Sequence, residues 1–224
     1  MTYAELVQKI RDYTEVDSSV LTATIVNGFI RDSELKIFRE ADADYAREYA
    51  NSTFTANNKF VALPNSVGTT AERRALIVRS VVVTNSSGVQ VSLEPRDDTF
   101  ITEFNSTGAT GFPKYYATFR ENAIEVAPTP NAAFVVTLDY IYTPDALSVT
   151  NTTTYISLNA QELLLYACLV EAFAYLKGPM DMYKLYQEKY NMALQGFTLE
   201  QTGRRRRDEY QDGTLRIKVP SPSP

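Results

Sequence analysis

The sequence predicts an α+β protein in which the N- and C-terminal helices form one helical bundle, with a β-rich insertion between them. Apolar residues recur at helical spacing before residue 46 and after residue 145, whereas the chain between alternates with a period of two. The last residues are basic, poor in apolar side chains and end in Ser-Pro repeats. We therefore expect N-terminal helices over residues 1–46, a β-rich domain over 47–145, C-terminal helices over 146–201 and an extended basic C-terminal arm over 202–224.

The N-terminal part is predicted to hold two helices. Thr2 followed three residues later by Glu5 is the pattern of a capping box. A second helix is expected from Thr22, with Gly28 in its interior as a point of close approach to another helix. Its apolar side consists of Ile25, Val26, Phe29, Ile30, Ile37 and Phe38.

The middle of the chain is predicted to form strands and one short helix. The Leu/Ile/Val run at residues 75–84 suits a central strand, and Asn-Ser-Ser-Gly at 85–88 is a hairpin turn before a return strand at 89–93. A short helix after Pro95 is expected to be capped by Asp97 or Asp98. Further strands are expected from about residue 47, at 60–63, in a hairpin of 114–119 with 123–127, and at 134–142.

Two helices are predicted to close the chain. Asn159 is expected to cap a helix over 160–177 that is apolar nearly all round, which is typical of the centre of a bundle. Asp181 is expected to cap a last helix that ends near Gln201. The apolar stripe of this last helix is predicted to be Met182, Leu185, Tyr186, Tyr190, Ala193, Leu194 and Phe197.

Composition argues against most enzymatic chemistry. The chain has no histidine and a single cysteine, Cys168, which removes Ser–His and Cys–His nucleophiles and multi-cysteine metal sites. Neighbouring acids such as Asp42 and Asp44 do not face each other on a helix. The net charge of −5 argues against a general nucleic-acid binder. The longest apolar run, residues 163–176, is too short to cross a membrane. We expect no enzyme activity, no cofactor, no metal and no membrane partner.

The C-terminal arm carries the candidate binding residues. An arginine run at 204–207 has three interpretations: a solvated helix end, a nucleic-acid arm, or a group that docks on an acidic protein surface. Further along, apolar and basic residues alternate in a strand pattern that suits addition to a sheet edge of a neighbour. The candidate interface residues are Arg204, Arg205, Arg206, Arg207, Tyr210, Leu215, Arg216, Ile217, Lys218 and Val219.

Several segments occur in a distinctive order along the chain: IVNGFIRDSELKIFR at residues 25–39, FVALP at 60–64, LEPRDDTFITEF at 93–104, GFPKYY at 111–116, AIEVAPTP at 123–130, and LLLYACLVEAFAYLKGP with YKLYQEKYNMAL after it. In this order, they resemble the head-to-tail adaptor (connector) proteins of short-tailed bacteriophages, of the tail-tubular-A or podovirus adaptor kind. Ser33 stands where alanine is commoner in that family, and residues 67–73 look like a short insertion.

The resemblance implies a structural virion protein of the phage neck, assembled in the host cytoplasm. Such adaptors form a dodecameric ring beneath the portal protein, and genomic DNA passes through the bore without sequence-specific binding. The far side of the ring receives the tail nozzle or tail tube protein and possibly a tail fibre. The family's C-terminal extension grips the portal, which assigns the arm residues named above to portal binding.

Two alternatives remain from the residues alone. One is another virion β-domain protein, used for decoration or receptor binding. The other is a carboxylate-based hydrolase, which needs two acids roughly 5–10 Å apart in a cleft.

Overall fold

The computed structural model describes residues 1–41, 44–64, 74–120 and 122–205. The chain divides into two compact units, Met1–Tyr45 with Asp145–Pro224, and Ala46–Pro144. The first is helical and the second is β-rich, so the predicted α+β class is confirmed. In chain order the elements are α1 (Tyr3–Thr14), α2 (Ala23–Glu40), the 3-10 turn η1 (Asp44–Ala46), β1 (Arg47–Thr53), β2 (Phe60–Ala62), β3 (Ala75–Thr84), β4 (Gln90–Ser92), β5 (Glu94–Pro95), α3 (Asp98–Phe104), β6 (Thr110–Gly111), β7 (Tyr115–Arg120), β8 (Ala123–Ala127), β9 (Thr129–Pro130), β10 (Val135–Tyr142), α4 (Tyr155–Asn159), α5 (Gln161–Tyr175) and α6 (Met180–Arg205).

The start of α1 follows the capping pattern read from the sequence. The backbone N–H of Glu5 donates to the Thr2 hydroxyl at 3.4 Å, and the Thr2 N–H donates to the Glu5 carboxylate at 2.8 Å. This reciprocal pair is the predicted capping box of α1. The second helix was predicted to start from Thr22; α2 starts at Ala23, and Thr22 precedes it in an extended conformation without a capping hydrogen bond from its side chain.

Helix α5 is the centre of the helical unit, as its all-round apolar sequence predicts. It packs against α1, α2, α4 and α6. Burial of apolar side chains on every side supplies the main stabilisation of such a helix. Its buried residues are Leu163, Leu164, Leu165, Ala167, Cys168, Leu169, Val170, Ala172 and Phe173.

Two local features of the helical unit, at Asn159 and Gly28, differ from the prediction. Asn159 is the last residue of α4 and donates to the Tyr155 carbonyl at 3.0 Å, so it does not cap α5. The reason is a capping box at Thr154, which starts a separate short helix before α5. Gly28 has no atom within 4 Å of a hypothetical Cβ, so it is not a point of close helix contact.

The last helix is longer than predicted. It begins at Met180, with Asp181 already in its first turn, and continues to Arg205. Residues 202–205 are therefore helical and do not belong to an extended arm. The run Gly203-Arg204-Arg205 does not stop the helix, because an interior glycine costs only about 1 kcal/mol and arginine is a good helix former. No helix among the described residues is long and apolar enough to cross a membrane.

Among its described residues, the β-rich unit contains two four-stranded sheets and one two-stranded sheet. The first has the order β1-β10-β3-β4 and the second the order β2-β8-β7-β5. Strand β3 lies inside its sheet, as its apolar run predicts, and pairs with β4 across the predicted hairpin turn. The hairpin of β7 and β8 also forms as predicted. The long-range pairing of β1 with β10 and the parallel pair β5 with β7 were not predicted.

Candidate partner-binding surfaces

The buried carboxylates of the described chain hold the fold together. Glu34 accepts hydrogen bonds from the Leu147 N–H and the Thr154 hydroxyl. Asp139 receives two parallel hydrogen bonds from the Arg47 guanidinium, Nε to Oδ1 at 2.9 Å and Nη2 to Oδ2 at 2.6 Å. Glu125 is paired with Lys59 at 2.6 Å. Each of these carboxylates is bonded to a partner within the fold. General acid–base catalysis instead needs a carboxyl group that can reach a substrate.

Cys168 and the remaining acids provide no metal site within the described residues, where no group of three or more metal-ligating side chains comes together. Cys168 is fully buried in α5, and this burial raises the pKa of its thiol to about 12. A thiol with so high a pKa is not a nucleophile at neutral pH. The sequence interpretation of Cys168 as a small buried apolar residue is confirmed.

The predicted arm residues fall at and beyond the end of the described chain. Arg204 and Arg205 form the C-terminal end of α6. The other candidates lie outside the described residues, and their role in binding stays a prediction; they are Arg206, Arg207, Tyr210, Leu215, Arg216, Ile217, Lys218 and Val219.

Helix α6, from which the arm continues, is attached to the bundle along one face. Tyr186, Tyr190 and Phe197 are buried on this face, as predicted. The Tyr190 hydroxyl donates to the Glu40 carboxylate, and the Lys36 ammonium lies 4.6 Å from the centre of the Tyr190 ring. Burial, followed by the bond to Glu40, raises the pKa of the Tyr190 hydroxyl far above its usual range. The buried hydrogen bond and the rings fix the rotation of α6 about its axis.

The outer stripe of α6 consists of Leu185, Met192 and Leu199. Their exposed fractions are 41%, 72% and 74%. Their spacing of seven residues is two helical turns, so the three side chains lie along one line of the helix. The prediction that Leu185 belongs to the buried stripe is wrong. Leu185 lies on the exposed side of α6, whereas the face that carries Tyr186 packs on the bundle. The seven-residue spacing was visible in the sequence, but spacing alone did not tell which stripe faces the core.

A second surface, here called the α3 aromatic cluster, consists of Arg96, Phe100, Phe104 and Tyr115 in the β-rich unit. The Phe100 and Phe104 rings stack at a centroid distance of 5.6 Å. Both meet the Tyr115 ring edge-on, at 5.1 and 5.0 Å. The Arg96 guanidinium lies 5.3 Å from the Phe100 centroid and 5.6 Å from that of Tyr115, and it is paired with Glu94 at 3.0 Å. Phe104 is nevertheless 46% exposed.

The structure divides the apolar residues of α3 between a buried and an exposed position. Ile101 is buried in a small core with Ala117 and Ala127. Phe100 is partly buried against that core, and Phe104 extends beyond it. One turn of apolar spacing could not distinguish the core side from an exposed aromatic surface.

Comparison with known proteins identifies the family to which the chain belongs. No curated protein matches the chain. A family model described as SU10 adaptor protein matches residues 1–218, which is nearly the whole chain, including both units. The chain therefore belongs to the SU10 adaptor protein family and is a phage head-to-tail adaptor, a structural protein of the virion.

Proposed function

We propose that this adaptor is the subunit of a ring that docks under the portal protein, continues the DNA channel and provides the attachment platform for tail nozzle, tail tube or tail fibre components. The ring is dodecameric by resemblance. The observation that carries the ring proposal is the outer stripe of α6, because three large apolar side chains along one line of the helix are exposed in the single chain. The family match over residues 1–218 makes neck components the partners to consider.

The outer stripe suits a contact between neighbouring subunits. From Leu185 to Leu199 it runs for about 21 Å along the helix axis, at about 1.5 Å per residue. Complete burial of one such side chain is worth about 1.5–3 kcal/mol relative to exposure. Contact with a different surface of the next copy gives a head-to-tail arrangement, which closes into a ring when the rotation allows it. Nothing lies within 4 Å of the place where a Cβ would stand on Gly196 or Gly203, which leaves room for a close neighbour.

The arm is proposed as the contact with the portal. It continues from Arg205, and the alternation of apolar and basic residues at 215–219 suits strand addition to an exposed sheet edge. Nineteen residues, 206–224, reach about 60 Å when extended, at about 3.3 Å per residue. The arginines at 204–207 would pair with acidic groups of the portal, so the attachment should weaken as the salt concentration rises.

The channel role is consistent with the charge of the chain. With 27 acidic and 22 basic residues, the protein has no cationic surplus to neutralise phosphates. A bore of this character lets DNA slide instead of binding it. The proposed role needs no catalysis.

The test of this proposal uses DNA-filled capsids that carry the portal but lack the adaptor. Wild-type protein should co-sediment with them, and a chain truncated after Arg205 should not, although α6 is retained in full. Glutamate replacements of Arg204, Arg205, Arg206 and Arg207 should weaken attachment similarly. If the truncated chain co-sediments and retains packaged DNA as the wild type does, the arm is not the portal contact.

The ring contact is tested separately by Met192→Asp and Leu199→Asp, with Val149→Asp as the matched control. Val149 is 68% exposed in the same unit and belongs to the segment between β10 and α4, not to α6. The two stripe variants should fold with wild-type circular dichroism melting, yet add fewer copies to each portal. Equal copy numbers in the stripe variants and the wild type would reject the outer stripe as the subunit contact.

A further inference from the structure

We propose that the α3 aromatic cluster is a docking surface for a basic segment of a tail component, one that places arginine or lysine side chains beside apolar ones. This inference rests on the proposed function in one respect, namely that the adaptor is the platform for tail components. It adds the place of contact and the chemistry of the partner.

The cluster has the residue types and the exposure of a binding hot spot. Aromatic residues and arginine are enriched where binding energy concentrates. Phe104 is 46% exposed and is supported by contacts with Phe100 and Tyr115. Beneath them, the small core of Ile101, Ala117 and Ala127 holds the rings in place. A ring that is rigidly held yet exposed loses little conformational entropy when a partner covers it.

The charge around the rings selects a cationic partner. The segment of residues 94–104 carries four carboxylates and one guanidinium, a net charge of −3. The four acids, Glu94, Asp97, Asp98 and Glu103, are all exposed. Asp97 is the N-cap residue of α3, but its side chain makes no capping hydrogen bond, so its carboxylate is not consumed by the helix. An acidic rim around aromatic rings attracts basic groups and repels phosphates, which favours a protein segment over nucleic acid.

Arg96 demonstrates how a cation sits at this surface. Its guanidinium lies over two rings and pairs with Glu94. Cation–π contact and ion pairing therefore act on the same group. The exposed part of Phe104, close in sequence to Glu103, offers the same combination to an arginine or lysine of a partner.

The backbone of β5 offers few free hydrogen-bonding groups, so a partner would be recognised mainly through side chains. Strand β5 is the edge of its sheet, and Pro95 in it has no N–H to offer. The N–H groups of Glu94 and Arg96 on either side donate to the Lys114 and Tyr116 carbonyls. Strand addition at β5 is therefore disfavoured, and a partner would use the shallow groove lined by Pro95, Arg96, Asp97 and Phe100.

The first experiment measures fluorescence anisotropy of a labelled peptide of alternating arginine and leucine, titrated with the full-length adaptor. Phe104→Ala should weaken binding by about tenfold, and Asp98→Lys with Glu103→Lys should abolish it. Tyr49→Ala is the matched control, because Tyr49 is a 64% exposed aromatic residue on β1 of the same unit. Circular dichroism melting of each variant checks that the fold is kept.

Three results would overturn the inference: equal loss of affinity in Phe104→Ala and Tyr49→Ala, unchanged affinity in the charge-reversed variant, or tighter binding of oligothymidylate than of the basic peptide. The second experiment adds purified tails to capsids loaded with adaptor. Phe104→Ala adaptor should attach to the capsids as wild type does and capture fewer tails. Loss of capsid attachment in this variant would reassign the cluster to the portal and reject a tail contact, whereas failure of the wild type to attach would count against the proposed function alone.

Discussion

Replacement of Glu34 tests how the helical unit is closed. Glu34 lies on α2 and is 8% exposed. One carboxylate oxygen accepts the Leu147 N–H at 2.7 Å and the other accepts the Thr154 hydroxyl at 2.6 Å. These bonds fasten the segment that precedes α4 to the side of α2. Leu147 is itself 2% exposed, so its N–H has no access to water if the carboxylate is removed.

The expected loss follows from these partners. Glu34→Ala leaves a buried N–H unsatisfied and removes two charge-assisted bonds, which costs about 3 kcal/mol of the free energy of unfolding. Glu34→Gln keeps both contacts, since its oxygen can accept from Leu147 and its amide can donate to the Thr154 oxygen. This variant should lose less than about 1 kcal/mol at pH 7.

The same residue gives a pH dependence with a definite sign. Burial raises the pKa of Glu34 above 4.5, and this effect outweighs the opposing hydrogen bonds from Thr154 and Leu147. Because the folded state holds this proton more tightly, the stabilisation from protonation is fully present below the unfolded pKa and is lost as the pH rises through the folded pKa. Wild type should therefore gain stability relative to Glu34→Gln as the pH falls from 7 toward 4.5.

Urea unfolding followed by circular dichroism at 222 nm measures both effects. A loss of less than about 0.5 kcal/mol of the free energy of unfolding in Glu34→Ala, the size of an ordinary surface substitution, would contradict the structural role of Glu34. A difference in stability between wild type and Glu34→Gln that stays constant or shrinks as the pH falls would contradict the raised pKa of Glu34.

Three further substitutions test separate parts of the structure. Leu169→Asp places a charge at a site with 0% exposure in α5 and should unfold the helical unit, seen as loss of the wild-type circular dichroism melt; a variant that melts like wild type would contradict the central place of α5. Asp139→Ala breaks the pair with Arg47 and should lower the free energy of unfolding in urea by about 3 kcal/mol. As a control, Asp32→Ala at an exposed ion pair should lower it by under about 0.5 kcal/mol. Equal losses in the two variants would show that burial of the Asp139 pair does not matter. Gly28→Ala should raise the free energy of unfolding by about 1 kcal/mol, since nothing lies within 4 Å of the added Cβ, and a loss would indicate a contact at this face.

Local chemistry made most elements predictable. The Thr2 capping box, the Leu/Ile/Val run of β3 and the turn at 85–88 are decided by residues a few positions apart, and each forms as predicted. The all-round apolar pattern of α5 also identified the centre of the bundle. In these cases short-range preference and tertiary packing agree, which is the condition for reading structure from sequence.

The sequence-based predictions fail where contacts with other parts of the chain determine the structure. Asn159 is a good capping residue, but Thr154 had already started a helix that ends at Asn159. The pairing of β1 with β10 joins Arg47 to Ile141, and no local pattern specifies such a partner. Leu185 and Tyr186 are adjacent and both apolar, and only the docking of α6 on α5 decides which is covered.

The candidate surfaces were also hard to predict, because a sequence pattern does not show which apolar residues are exposed. The arm was visible as a basic segment because composition marks it directly. The outer stripe of α6 and the rings of the α3 aromatic cluster are apolar or aromatic side chains, which a sequence pattern assigns to the core by default. We propose that partners cover these side chains, and a local sequence pattern does not encode such partners.

We propose that the chain is a ring-forming adaptor that attaches to the portal through its C-terminal arm. The mass of the complex formed when the purified adaptor is mixed with its portal, measured by native mass spectrometry, tests both parts of this proposal. We expect one complete adaptor ring, a dodecamer, on each portal with the wild-type chain, and portal alone with the chain truncated after Arg205. A truncated chain that still forms a full ring on the portal, or a wild-type complex that holds a single adaptor copy, would contradict it.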